Sequence, residues 1–466
     1  MSTNQPAVDV STSQSHPKGF YFFFWGEFAE RCSYYGMRAI LFLYMTEQLK
    51  IDKSDASSIY FLFKMACYFL PLLGGYLADR FFGKYWMIVG FSIPYIIGQS
   101  LLCYEDKSFL FMALVLLAMG SGVIKPNISS LLGLTYDQQR RGNLTLRAKA
   151  FLWFYFSINV GALISMFCLP LIRDRYGYSI AFAFPAVLMF MALLVFALGK
   201  PFYGIDKPGP APALPPEEKQ EQSKVIRSLL GVFILIVLFW IPYEHNDTQW
   251  VHFADNHMDL TIPSWIRGII GKDCPQALRG DAFQWVNSAA VLILLVFFQW
   301  FWGKFDPNNR ISPIRKMSVG FLLTAMAPMI MTICAYYSDT WKFSFWWLAA
   351  AYFLLTLGEV LVYGTGLDFS YGQAPASMKS MITACFLATN GIANFINAGW
   401  ARVYDSDVTQ MFRFGTPGPN AVEPNVWHVL PYQFFGIDSL LPLFSALAIL
   451  YVGKKFHDEH LNNVHK

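Results

Sequence analysis

Charged side chains are scarce in this sequence. Asp, Glu, Lys and Arg make up 14% of its 466 residues, against about 25% in a soluble domain, which excludes a water-surrounded globule and points to a chain solvated by lipid. The net charge is only +4, so there is no nucleic-acid footprint. Cysteine is sparse too. Cys32, Cys67, Cys103, Cys168, Cys334 and Cys385 fall in apolar segments and Cys274 in a loop, and neither a disulfide framework nor a metal-ligand spacing can be drawn through them. A nucleophile triad, a zinc signature and a phosphate-binding glycine loop are also missing, so an enzyme is not expected. The first eighteen residues are polar and lack the basic start and short apolar run of a cleavable signal, so the first apolar segment is expected to be retained.

Apolar residues fill the space. The chain is 55% hydrophobic and 18% aromatic. Windows of about twenty apolar residues, enough to cross a bilayer core, place twelve spans at 20–45, 56–78, 84–104, 108–132, 149–171, 178–199, 228–250, 282–303, 315–337, 343–371, 378–402 and 431–453. The expectation is an all-α polytopic membrane protein. It divides into a first six-helix bundle (1–199), a linker (200–227) and a second six-helix bundle (228–466). The linker reads K-P-G-P-A-P-A-L-P-P and then E-E-K-Q-E-Q-S-K: an extended proline spacer, then a charged stretch suited to a short surface helix. Lys and Arg gather around Arg140, Arg141, Arg147 and Lys149 and around Lys304, Arg310, Arg315 and Lys316, which predicts both termini in the cytoplasm. Two six-span halves suggest a transporter built from repeats, with its site at the midplane between them.

The stretch from Gly26 to Arg38 reads G-E-F-A-E-R-C-S-Y-Y-G-M-R. It sets two carboxylates, two guanidinium groups and two phenols at hydrocarbon depth, where each charge costs about 2.5–17 kcal/mol depending on how it is measured. Glu27, Arg31, Tyr34 and Arg38 fall on one helical stripe with Glu30 beside them, while Phe24, Phe28, Cys32 and Ala39 form an apolar stripe opposite. The polar stripe must face water or other polar groups. A salt bridge that merely locks helix packing is the plainer reading of Glu27, Glu30 and Arg31.

Further intramembrane polar groups are few. Lys64 precedes Tyr68 by one turn and looks unpaired, with snorkelling or a structural ion pair as the alternative. Gly120-Ser121-Gly122-Val123-Ile124-Lys125-Pro126-Asn127 puts a deep cation beside a helix-bending proline. Lys125 needs an anion, either Glu27 or Glu30 or a bound carboxylate. Asn159 can hydrogen-bond an amide or glue helices together. Glu244, near the end of the seventh span, and Glu359, alone near the middle of the tenth, supply the acids of the second half. A zwitterion across the cleft would point its carboxylate at Arg31, Arg38 and Lys125 and its amine at Glu244 and Glu359. Tyr34, Tyr35 and Tyr68 would line its path, with Trp240 and Trp285 as pocket walls. Carboxylates set against these cations also form a plausible proton relay.

These motifs resemble the proton-dependent oligopeptide transporter (POT/PTR) family of the major facilitator superfamily. The likeness rests on E-x-x-E-R-x-x-Y-Y-G at Glu27, Glu30, Arg31, Tyr34, Tyr35 and Gly36, on G-x-G-x-x-K-P-N from Gly120 to Asn127, and on F-Y-x-x-I-N-x-G from Phe154 to Gly161. It continues through Phe239-Trp240, Gln284 to Asn287 and Gly358-Glu359. The resemblance implies a twelve-helix major facilitator fold and proton-coupled import of di- and tripeptides by a functional monomer in the plasma membrane, the bacterial inner membrane in the first instance. No cofactor beyond the coupling proton, no nucleic acid and no obligatory protein partner would be needed. By matching position, Glu27, Glu30, Arg31 and Lys125 would couple protons. Arg38 and Lys125 would receive the peptide carboxylate, and Asn159, Asn287 and Glu359 would meet the amine end and backbone.

The chain departs from the family pattern in places. Phe61 stands where animal members have a histidine, His245 where glutamine is usual, and Tyr363-Gly364-Thr365 where Ser-Pro is usual; Lys64, Asp247 and Asp368 are extra charges. Transport of nitrate or another small solute, and peptide sensing without transport, remain compatible with these changes.

Overall fold

The computed structural model describes residues 15–209, 216–270, 275–306, 311–373, 379–404, 406–407 and 428–464. Twelve long helices hold most of them: α1 (Gly19–Leu43), α2 (Lys53–Leu77), α3 (Lys84–Leu101), α4 (Lys107–Gln139), α5 (Leu144–Tyr176), α6 (Tyr178–Gly199), α7 (Pro216–Glu244), α8 (Trp285–Phe305), α9 (Pro313–Tyr336), α10 (Phe345–Glu359), α11 (Lys379–Trp400) and α12 (Pro431–Val464). Among the described residues, eleven are long and apolar enough to cross a membrane. The other, α1, is 25 residues long but carries Glu27, Glu30, Arg31 and Arg38. A two-residue antiparallel pairing of Ser406–Asp407 with His428–Val429 is a minor addition to this all-α fold.

Local chemistry sets the helix ends. Asp52, Asp106, Asn143 and Ser312 each accept a backbone N–H of the first turn that follows, which satisfies donors the helix leaves open. Gly83 and Gly177 make the tight turns into α3 and α6 at positive φ, where a side chain would be strained. The charged linker stretch forms no separate surface helix. It runs unbroken into α7, because Glu, Gln and Lys are good helix formers and no breaker follows Pro216. The proline spacer ahead of it lies partly outside the described residues, as does most of the 403–430 segment.

Packing repeats with an offset of six. The pairs α1–α5, α1–α6, α2–α4, α3–α4 and α3–α6 recur as α7–α11, α7–α12, α8–α10, α9–α10 and α9–α12. The main contacts between the halves, α2–α11 and α5–α8, are likewise one pair mapped onto the other. This is the signature of two similar bundles related by an axis along the membrane normal. Small residues permit the closest crossings. A side chain at Gly120 would strike Tyr95 of α3, and one at Gly122 would strike Leu70 of α2, so the two glycines wedge α4 between its neighbours and fix the height of Lys125.

The segment after α6 is strapped to the first bundle. Gly204 N–H donates to Thr135 at 2.9 Å, Gln138 donates to the Ile205 carbonyl at 2.8 Å, and Gly209 N–H donates to the Asp79 carbonyl at 2.9 Å. Asp79 also receives Lys84 at 2.6 Å. Asp79 therefore ties the turn after α2 to this segment and, among the described residues, makes no link to the second half.

Candidate functional site

A cavity of about 280 Å³ lies between the halves, near the lower end of the ~300–1,000 Å³ usual for small-molecule sites. Arg31, Tyr35 and Arg38 of α1, Lys64 and Tyr68 of α2, Lys125 of α4, and Tyr155 and Asn159 of α5 form one wall. Trp240, Tyr243 and Glu244 of α7, Asn287 of α8, Glu359, Tyr363, Phe386 and Asn390 form the other.

On α1 the polar stripe folds in on itself. Arg31 contacts Glu30 and lies 3.2 Å from Glu27, all three almost wholly buried. One oxygen of each glutamate and one guanidinium nitrogen have no hydrogen-bond partner among the described residues. A buried group in that state is costly. Glu27 and Glu30 stand behind the cavity wall and only Arg31 reaches it. Tyr34 is buried against Arg31, with the guanidinium 5.4 Å from its ring centre, and does not line the cavity.

Lys125 has neither predicted partner within ion-pair distance. Glu27 and Glu30 are occupied by Arg31, and the ammonium group stands exposed in the cavity, 5.7 Å from the Tyr68 ring. Across from it, Glu359 accepts from Tyr243 at 2.7 Å and from Asn287 at 2.9 Å, and Asn287 also donates to Thr356 at 3.0 Å. These neutral donors orient the carboxylate without cancelling its charge. Glu359 also ends α10 where a π-helical turn, Val360–Gly364, re-aims the chain, a distortion often found at functional sites.

Lys64 is paired after all. It contacts Glu244 and lies 2.6 Å from Asp247, with every partner about 2% exposed. Arg38 reaches Asp247 at 3.5 Å and Asn390 donates to Glu244 at 2.7 Å. Glu244 is thus a lining residue already engaged by a cation of the opposite half. Trp285 is absent from the lining and meets Phe167 edge-on, while Trp240 takes the wall position. Tyr155, Tyr243 and Asn390 escaped the sequence reading, whereas Tyr363, which stands out there as a departure from the family pattern, does line the cavity. Tyr155 is one turn from Asn159, and Asn390, Asn394 and Asn397 form a polar stripe on α11 that marks an inward face.

The contacts joining the halves gather on the side of the 251–281 segment. Beyond the Lys64 cluster, Gln249 donates to Ser57 at 3.0 Å, Arg402 meets Asp55 at 2.9 Å, and Arg173 of α5 grips both oxygens of Asp281 just before α8. The short helices Gln249–His257 and Ser264–Ile270 cover this side. A second cavity of about 600 Å³ lies there, lined by Glu47, His252, Asp255, Asp259 and Arg279. It is larger than the central one but holds none of the intramembrane cations. Burial, and then the Asp281 carboxylate, push the Asp255 carboxyl up to about 7; Arg279 lies 3.4 Å away but also engages Glu47.

A raised carboxyl value means the folded form holds more protons than the unfolded chain. The stability associated with Asp255 is therefore complete in acid and is lost as pH climbs from the aspartate range near ~4 to 7. Melting temperature should fall across that window in wild type and change less in Asp255→Asn. Equal slopes in the two proteins would show that Asp255 does not carry this dependence.

Among the described residues, twelve long helices in two alike bundles around a polar central cavity define a membrane transporter of the major facilitator fold. The POT family model matches residues 85–216 and 213–414, and the chain belongs to that family. Among its relatives, the uncharacterized transporter YclF of Bacillus subtilis is 28% identical, with 86% of this chain and 91% of YclF aligned. Dipeptide and tripeptide permease A of Klebsiella pneumoniae is 26% identical over 84% of this chain and 85% of the permease. Human solute carrier family 15 member 1 is 29% identical over 70% of this chain, which spans 53% of the human protein's length. The crystal structure of a mutant peptide transporter POT in complex with alafosfalin superposes with a TM-score of 0.79 at 23% identity, covering 94% of this chain and 95% of the other.

Proposed function

We propose that this protein is a proton-coupled symporter that imports di- and tripeptides by alternating access. The observation that carries the reading is that Lys125 and Glu359, neither with an ion-pair partner among the described residues, face one small cavity from opposite halves. A peptide zwitterion would place its carboxylate at Lys125 and its amine at Glu359, and the aromatic wall of Tyr68, Tyr155, Trp240 and Tyr363 would accept its side chains. The peptide-transporting names of several relatives support the same substrate class. A carrier for nitrate or another small anion would use the cations but leave Glu359 without a counterpart.

Proton coupling is assigned to the Glu27–Glu30–Arg31 triad. Protonating Glu27 would release Arg31 toward the cavity and change which access state is favoured. The test is uptake of labelled dialanine into liposomes under an inward proton gradient, with Glu27→Gln alongside. Gradient-driven uptake should fall by more than about tenfold in the variant, a loss of at least ~1.4 kcal/mol of coupling, while peptide counterflow persists. Uptake that ignores the gradient, or no counterflow with any peptide, would overturn the reading.

A further inference from the structure

His245 sits in the single helical turn His245–Asp247 that closes α7, and its side chain is wholly buried. Its Nδ1 lies 2.6 Å from Oδ2 of Asp438 on α12, which is buried as deeply; the other Asp438 oxygen accepts from the Trp400 indole of α11 at 3.0 Å. The far ring nitrogen, Nε2, has no hydrogen-bond partner among the described residues. Phe61 of α2 meets the imidazole edge-on at 5.7 Å, and Phe434 of α12 packs at 5.0 Å.

The flanking residues give this pair its consequence. Glu244, one residue before, holds Lys64 of α2 and Asn390 of α11. Asp247, two residues after, holds Lys64 and Arg38 of α1. From α10, Tyr352 donates to the Asn246 carbonyl at 2.7 Å. The turn is thus one of the pieces of the second half that grip the first, beside Gln249, Asp281 and Arg402. Its cluster sets three carboxylates, Glu244, Asp247 and Asp438, against two fixed cations, Lys64 and Arg38. One proton balances it, and imidazole is the side chain that gains and loses a proton in the physiological range.

We propose that the His245–Asp438 pair is a second proton site, which holds the proton that neutralises the closed gate on the 251–281 side. With the proton bound, the pair is an imidazolium facing a carboxylate and the cluster carries no net charge. With the proton gone, neutral His245 donates Nδ1–H to Asp438 and one negative charge remains in a dry site, which weakens the closed state. The site acts through the turn and touches no substrate, so His245 is a positioning residue for the gate. This deepens the proton-coupled reading above and rests on it.

The test follows hydrogen exchange of residues 245–257 in the full-length protein in lipid nanodiscs, without peptide, from pH 5.5 to 8.5, corrected for intrinsic exchange chemistry. Wild type should lose protection as pH rises, by about tenfold or more, which is ~1.4 kcal/mol of opening. His245→Gln leaves Asp438 charged at every pH and should exchange fast and without slope. His245→Gln with Asp438→Asn removes both charges and should be protected and without slope. A slope that survives in His245→Gln, or two variants that exchange alike, would overturn the proposal. Dialanine uptake on the same samples keeps the two questions apart: absent uptake with the expected exchange pattern would fail the transport reading and leave the proton site standing.

Discussion

Lys64→Met should cost this protein about 3–5 kcal/mol and abolish uptake, the usual result when one partner of a buried ion pair is removed. The lysine is 2% exposed and serves Glu244 and Asp247 together. Without it Asp247 keeps Arg38 at 3.5 Å, but Glu244 keeps only the neutral amide of Asn390. Glu244 is then a buried charge without a cation. Adding Glu244→Gln to Lys64→Met should restore much of the lost melting temperature, because the stranded charge goes with it. Driven uptake should stay absent, since the bond between α2 and α7 that would form and break in each cycle of the proposed alternating access no longer exists. If Lys64→Met melted with wild type, the cluster would be open to water and its assigned part in closure would be wrong.

Arg173→Met should open the side on which the two halves are joined. Arg173 reaches both oxygens of Asp281 from the end of α5, and both residues are about 1–2% exposed. A cost of ~3–5 kcal/mol on the closed arrangement alone approaches the ~5.5 kcal/mol that turns a 99:1 preference into its reverse. Spin labels on the exposed Arg175 and Lys342, one in each half on this side, should report a long-distance population that grows from minor to dominant. Arg173→Lys, which keeps the charge but not the two-pronged contact, should fall between. An unchanged distance distribution in Arg173→Met would remove this pair from the gate.

The parts of the site that declared themselves in the sequence did so by being rare. A carboxylate or cation inside a twenty-residue apolar window stands out, so Glu27, Arg31, Arg38, Lys125 and Glu359 could be picked singly, and a period of 3.6 ordered those on α1. Partnerships were harder to read. Lys64 and Glu244 are 180 positions apart, and no local pattern says that α2 and the end of α7 meet. The expected union of Lys125 with Glu27 or Glu30 gave way to a nearer cation, Arg31, on the same helix. Trp240 and Trp285 looked equivalent as candidate walls, but which faces inward depends on how each helix is rotated in the bundle, and flanks as apolar as theirs carry little of that signal. Asp438 drew no notice because it lies near the start of its span, where an acid is unremarkable until His245 is seen beside it.

The strap along the first bundle also sets a leash. The chain is fastened as far as Gly209 and is helical again from Pro216, so the crossover between halves has at most seven peptide units to pay out, about 25 Å when taut. Whatever path those units take, the corner where α7 begins can swing only that far from the turn after α2. Under the proposed alternating access, the rocking of one bundle against the other would therefore have a mechanical stop on the linker side that owes nothing to charge or substrate. Lengthening the crossover should widen the swing without altering what the cavity binds.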